Sequence, residues 1–228
     1  MSQRQEKKLS FPKILLIFLI HIAIWGAYTH TLLPVMKNNL GDLGDLGYQL
    51  IGESIKLILW TVPAIILVQH YYSDMYLTLH DMLTSRFKPM PYVLLALGVL
   101  VYSLTASIFI NGNIAITFPE HPSWIMGTVF LVGITEDALY QGFFLNALLK
   151  KTKAIFALTI SSLMFVAIHL PWWIFNNRFP NPLSALGDCL AIFALGLVYG
   201  WTFMKSRNIF VPMSLHMLWN LLLTLFVV

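Results

Sequence analysis

WIMGTVFLVGITEDALYQGFFLNALLK, residues 124–150, is an apolar run with two adjacent acids, Glu136 and Asp137, set in its middle. Crossing the hydrocarbon core takes about 20 apolar residues, and a carboxylate at that depth costs roughly 2.5–3.5 kcal/mol on insertion scales. Neither acid has an obvious counter-charge nearby in sequence, so its partners are expected from later helices. The next three apolar segments carry His169, Asp188, His216 and Asn220. A cluster of this kind points to a catalytic site inside a membrane.

The rest of the chain agrees with that reading. Of its 228 residues 58% are hydrophobic and 11% charged, whereas soluble domains carry about 25% charged residues. Several separate stretches are long enough for spanning helices, and the alternation of about 10-residue segments that marks a closed barrel is absent. The expectation is an all-α polytopic transmembrane bundle forming one integral membrane domain, 1–228. Seven spans are read at 12–29, 50–72, 91–110, 123–149, 154–173, 183–204 and 209–228. An eighth helix, interfacial or re-entrant, would come from the mixed segment 73–90 or from a dip of the chain before Val211.

The net charge of +4 reports topology and not a nucleic-acid partner. With the N-terminus in the cytoplasm, Arg4, Lys7, Lys8, Lys13, Arg86, Lys88, Lys150, Lys151, Lys153, Lys205 and Arg207 fall inside, and only Lys37 and Arg178 outside, as the positive-inside rule requires. The first span reads as a retained signal-anchor, because no small-residue cleavage site follows it. Trp25, Trp124, Trp172 and Trp173 are placed near outer span ends and Trp201 near an inner one, where interfacial tryptophans belong, while Trp60 does not fit that belt. The repeated Gly-Asp-Leu of 41–46 reads as a flexible outer loop. Cys189 is the one cysteine and reads as a buried inert thiol.

Local punctuation supplies further expectations. Pro171 predicts a helix end just after His169. Gly196 and Gly200 form a small-xxx-small step for close helix packing. Glu53 and Lys56, three apart in the second span, are expected to satisfy each other. Ser161, Ser162 and Ser214 lack the neighbours of an activated hydroxyl and read as packing residues.

On a helix Glu136 shares a face with Tyr140, and Asp137 shares the adjacent face with Gln141. The two acids therefore point about 100° apart, so one aims into a common cavity and the other supports it. His216 and Asn220, four apart, can address a single oxygen. Counting about 1.5 Å per residue from the inner span ends puts Glu136 and His169 at roughly 20–24 Å depth but His216 at about 12 Å. An inward dip before Val211 would bring them level.

Three of these elements, in order on successive helices, resemble the CAAX prenyl endopeptidase and bacteriocin-processing (CPBP, or Abi) family of intramembrane proteases. The family pattern is Glu-Glu-xxx-Arg, Phe-xxx-His and His-xxx-Asn. Here it reads Glu136-Asp137-Ala138-Leu139-Tyr140-Gln141, then Phe165 to His169, then His216 to Asn220, within a catalytic core at 123–225. The resemblance implies peptide-bond hydrolysis in the membrane, with Glu136 as general base, His169 binding the same water, and His216 and Asn220 stabilising the oxyanion. Asp137 and Gln141 are auxiliary, and Gln141 stands where the family has Arg, so a fixed cation is missing unless another is supplied.

A divalent metal such as zinc, held by Glu136, His169 and His216, is the alternative to a metal-free water, and the metal-free version is preferred. The substrate implied is a peptide or small membrane protein in the lipid bilayer of a bacterial plasma membrane, in bacteriocin processing or self-immunity. A catalytically silent member acting as a binding or regulatory scaffold is the alternative function. A proton-linked transporter ranks below both, for want of an internal repeat.

Overall fold

A computed structural model describes residues 8–39, 44–118, 125–179 and 181–226. The positions of Arg4, Lys7, Trp124, Pro180 and residues 40–43 of the Gly-rich loop lie outside them. Among the described residues there is no strand, and the chain is an all-α membrane bundle. Five of the described helices are long and apolar enough to cross a membrane: α1 (Phe11–Met36), α2 (Gln49–His70), α4 (Met90–Asn111), α6 (Ala154–Phe175) and α7 (Pro182–Ser206). Between α2 and α4 lies the short α3 (Leu79–Thr84). Residues 125–151 form α5, and α8 (Phe210–Phe226) closes the bundle.

Burial is inverted relative to a soluble protein. Outward faces of α1 and α4 expose Leu16, Leu19, Leu94, Val101 and Ile110, whereas Glu136, Asp137, Gln141, Asn146 and His216 are buried. Lipid solvates the first set, so the bundle interior is where polar groups find partners. Helix α5 is the central one, touching α1, α2, α6, α7 and α8, and nearly every side chain from Gly133 to Leu148 is buried.

Close helix approach depends on glycine at a few positions. A Cβ on Gly196 would sit 3.1 Å from the Ser162 Cα across the α6/α7 contact, and one on Gly133 would sit 2.9 Å from Met217 Cγ and 3.3 Å from the Met213 carbonyl of α8. Gly196→Ala is therefore expected to cost about 1–3 kcal/mol by overpacking. The thermal midpoint of the purified protein reads this out, with Gly26→Ala, which meets nothing within 4 Å, as the neutral control.

Four π-helical turns interrupt the described helices, at Tyr28–Leu32, Leu57–Thr61, Ile125–Leu131 and Tyr140–Leu145. Such turns widen the backbone and turn carbonyls away from the ordinary ladder. Two of those carbonyls meet side chains of other helices: Thr128 O accepts from Asn220 Nδ2 at 3.0 Å, and Tyr140 O accepts from Ser161 Oγ at 3.3 Å. The packing role expected of Ser161 thus includes a hydrogen bond.

The connection 71–89 contains the expected extra helix. Thr78 caps α3 through a reciprocal capping box with Asp81, and Asn146 of α5 grips the backbone of Leu77 at 2.7 and 2.9 Å. From this platform Met82 O accepts from Ile209 N at 2.9 Å and Ser85 O accepts from Asn208 Nδ2 at 2.9 Å. Ser206, Asn208, Ile209 and Val211 are consequently buried. Helix α8 starts from this platform, and His216 borders the same cavity as Glu136 and His169.

The N-terminal end of α1 is fastened at the same side. Asp74 accepts a hydrogen bond from Leu9 N at 2.7 Å and pairs with Lys151. The Lys151 ammonium, then the Leu9 N–H, hold its carboxyl below the usual carboxylate range. A carboxylate whose folded pKa is depressed stabilises the protein above its unfolded pKa of about 3.9, and that contribution is lost as pH falls through the folded value. Asp74→Asn is expected to lower the thermal midpoint by about 1–3 °C at pH 7. The gap to wild type should narrow below about pH 4, which a melting series across pH tests.

Three expectations from the sequence give way to packing. Helix α6 does not end after His169; it continues through Pro171 to Phe175, because one proline removes a single backbone bond and the following turn remains closed by Asn176 N–H on Trp172 O. The chain leaves the helix at Asn177, whose φ of 51° is left-handed, a conformation asparagine tolerates. Trp25 and Trp173 turn inward, Trp25 edge-on to Trp60 at 4.9 Å and Trp173 against His169 at 5.5 Å. Finally, Lys56 does not pair with Glu53; its ammonium crosses to α5 and Glu136.

Candidate active site

Because α5 carries Glu136 and Asp137 on adjacent faces, the two acids have different surroundings. Glu136 borders two cavities, one of about 410 Å³ bounded by Trp25, Gln49, Glu53, Lys56, Trp60 and Trp172, the other of about 180 Å³ bounded by Phe165, Tyr199, His216, Trp219 and Asn220. His169, Thr128 and Val132 border both as well. Asp137 borders neither and is 0% exposed.

The carboxylate of Glu136 has two unlike oxygens. Oε1 accepts from Lys56 Nζ at 3.1 Å. Oε2 has no hydrogen-bond partner among the described residues and lies 3.9 Å from His169 Nε2, too far for a direct bond. The other ring nitrogen of His169 is 2.7 Å from the Phe165 carbonyl one turn earlier. A carbonyl only accepts, so Nδ1 carries a proton, and when the ring is neutral Nε2 is an acceptor facing Glu136.

His216 comes from α8 and stacks on Tyr199 of α7, with ring centroids 4.7 Å apart and planes 21° apart. Its Nδ1 is 3.5 Å from Asp137 Oδ2, which leaves the opposite ring edge, with Nε2, for the smaller cavity. Gln141 Nε2 approaches Asp137 Oδ1 at 3.5 Å. Asp137 Oδ2 and His216 Nδ1 thus face each other without a close hydrogen bond, and Gln141 makes one long contact with the other carboxylate oxygen. Phe165 stands edge-on to Tyr140, His169, Tyr199 and His216, with centroids 5.1–6.4 Å away, and keeps the two imidazoles apart.

All four principal candidates, Glu136, His169, His216 and Asn220, thus border one space, the last with one amide N–H committed to Thr128 O. Asp188 and the serines are not among its walls. Lys56, Tyr199 and Thr128 were not anticipated. The signal for Lys56 was present, since a lysine at bilayer depth demands a partner as much as an acid does. Tyr199 and Thr128 carry no signal that separates them from ordinary helix residues.

A zinc ion on Glu136, His169 and His216 would have to use Glu136 Oε2, His169 Nε2 and His216 Nε2, since Lys56 holds the other carboxylate oxygen and His216 Nδ1 faces Asp137. Among the described residues no three His, Cys, Asp or Glu side chains converge as a metal-binding set.

Residues 118–222 match a family model described as Type II CAAX prenyl endopeptidase Rce1-like. No curated protein matches the chain. The matched segment contains Glu136, Asp137, Gln141, His169, His216 and Asn220; Lys56 lies outside it.

Proposed function

We propose, on the premise that residues 118–222 belong to the Rce1-like CAAX prenyl endopeptidase family, that this multi-pass membrane protein hydrolyses a peptide bond of a membrane-associated peptide or small membrane protein at Glu136. The observation that carries the reading is the free Oε2 of Glu136, 3.9 Å from an acceptor nitrogen of His169 at the junction of two cavities. A water donating one proton to each would present its oxygen lone pair to a substrate carbonyl.

In the proposed reaction the water oxygen bonds to the carbonyl carbon as its proton passes to Glu136 Oε2. The tetrahedral oxyanion is held by Nε2–H of a doubly protonated His216, whose Nδ1–H faces the Asp137 carboxylate, and by the remaining amide N–H of Asn220. The C–N bond then breaks, and the proton on Glu136 moves to the departing amine. The substrate enters by the larger, Trp-walled cavity and extends its carbonyl toward the smaller one. The version proposed uses a metal-free water, and its setting is a bacterial plasma membrane, in bacteriocin processing or self-immunity.

One observation favours a second reading. Gln141 stands where the resemblance has Arg, which suits a silent scaffold that binds a partner without cutting it. The test is to incubate hydrophobic peptides with proteoliposomes of wild type and Glu136→Gln and to identify the products by mass spectrometry. Cleavage by wild type alone, surviving extraction with a strong zinc chelator, supports the metal-free protease. Equal and null traces support the scaffold, and chelator-sensitive cleavage restores the zinc alternative.

A further inference from the structure

Lys56 has no place in the mechanism just given, yet its ammonium is firmly held in the membrane interior. It lies 5.0 Å from the Trp60 ring centroid and 5.8 Å from that of Trp25, and it donates to Glu136 Oε1 at 3.1 Å. Trp60, 1% exposed, is itself clamped edge-on by His21, Trp25 and Tyr140. The π-turn Leu57–Thr61 begins at the very next residue. Backbone, rings and carboxylate together leave this long side chain one position.

We propose that Lys56 is a positioning residue of the site: by holding Glu136 Oε1 it fixes the carboxylate so that Oε2 meets the water and His169. This rests on the protease reading above. Among the described residues, no other lysine or arginine comes within 4.0 Å of either acid. Gln141 is neutral and serves Asp137. The cation expected one helical turn after the acid pair is therefore supplied by a different helix, 80 residues earlier in the chain and outside the segment that matches the family. Moving the charge changes which acid it serves, since a residue at 141 reaches Asp137 and Lys56 reaches Glu136.

Glu53, one turn before Lys56, does not displace this pairing. It borders the same cavity with Oε2 unpartnered, while the hydrogen bond of Lys56 goes to Glu136. A freely rotating Glu136 would sample the aromatic walls and lose its alignment, and a misplacement of about 1 Å at a reacting group costs on the order of 10²-fold in rate.

The experiment measures kcat and KM in proteoliposomes for wild type, Glu136→Gln, Lys56→Met and Lys56→Cys, the last in a Cys189→Ala background that leaves no other thiol. Lys56→Met should lower kcat by about 10–10²-fold with KM nearly unchanged. Treating the Lys56→Cys protein with 2-bromoethylamine rebuilds a lysine isostere on the same folded sample and should return at least about tenfold in kcat. A purely structural lysine would lower the thermal midpoint in step with activity, whereas a positioning one lowers kcat in protein that melts like wild type. Lys56→Met turning over within about twofold of wild type, or a Lys56→Cys protein that stays inactive after aminoethylation, would overturn the proposal. So would failure of both variants to fold, which would make Lys56 a structural residue. Wild type no faster than Glu136→Gln instead sinks the protease reading, and this inference with it.

Discussion

Glu136→Gln is expected to lower peptide cleavage by about 10²–10⁴-fold, the contribution of a positioned general base. The substitution keeps an oxygen that can accept from Lys56 but cannot take a proton from water, so kcat falls while substrate binding in the larger cavity persists. Glu136→Asp separates charge from reach. It retains the carboxylate but withdraws it by about one methylene, and with Lys56 holding one oxygen the other no longer approaches His169; an intermediate loss of about 10–10²-fold is expected. Turnover of a mass-identified peptide in proteoliposomes, at equal protein abundance, checks both. Full activity in Glu136→Gln would remove this residue from the chemistry.

His216→Ala is expected to cost more in stability than any other single change at the site. Asp137 is 0% exposed, and its polar neighbours are His216 Nδ1 and Gln141 Nε2, each 3.5 Å away. Removing the imidazole leaves a buried carboxylate beside one long amide contact and takes away the stack on Tyr199, a loss of about 3–5 kcal/mol by comparison with broken buried ion pairs. Activity falls as well, by about 10²–10³-fold for one oxyanion donor. The two effects separate in a double variant. With Asp137→Asn added, the buried charge is gone and the thermal midpoint should recover, whereas cleavage should not. A single His216→Ala protein that melts like wild type would show that Asp137 does not depend on it.

The membrane class and nearly every helix were legible along the chain. Spans drawn from runs of apolar residues coincide with the observed helices to within a few residues at most ends, because lipid demands an unbroken apolar stretch and a closed backbone whatever the neighbours are. The first helix is the main departure: drawn as 12–29, it runs to Met36 through a π-turn. That only one of the two acids faces a cavity was also legible, since the 100° between successive residues is a property of the helix alone, whereas the choice of Glu136 came from the resemblance. Trp25 and Trp173, placed near outer span ends, turn their rings toward Trp60 and His169, because sequence position tells how deep a residue lies and not which way it faces.

The pairing of Lys56 shows where local rules stop. Three-residue spacing made Glu53 the obvious partner, and that rule describes isolated helices. In the bundle the competing acceptor is a buried carboxylate from α5 whose desolvation is relieved only by an opposite charge, so the contact across 80 residues prevails. Asn220 teaches a related lesson. Its amide answers a carbonyl in a π-turn, and nothing in a 3.6-residue pattern marks where a helix will widen.

By itself, then, the order of residues determined that this chain is an all-α membrane bundle and where its helices run, because each follows from hydropathy and helical period. Only the tertiary structure decided that the chain entering α8 is held on the α3 platform, that one oxygen of Glu136 is held by Lys56 while the other stays free, and that Asp137 faces His216. Those are outcomes of competition among buried polar groups for a few partners in a medium without water, and that competition is settled by packing in three dimensions.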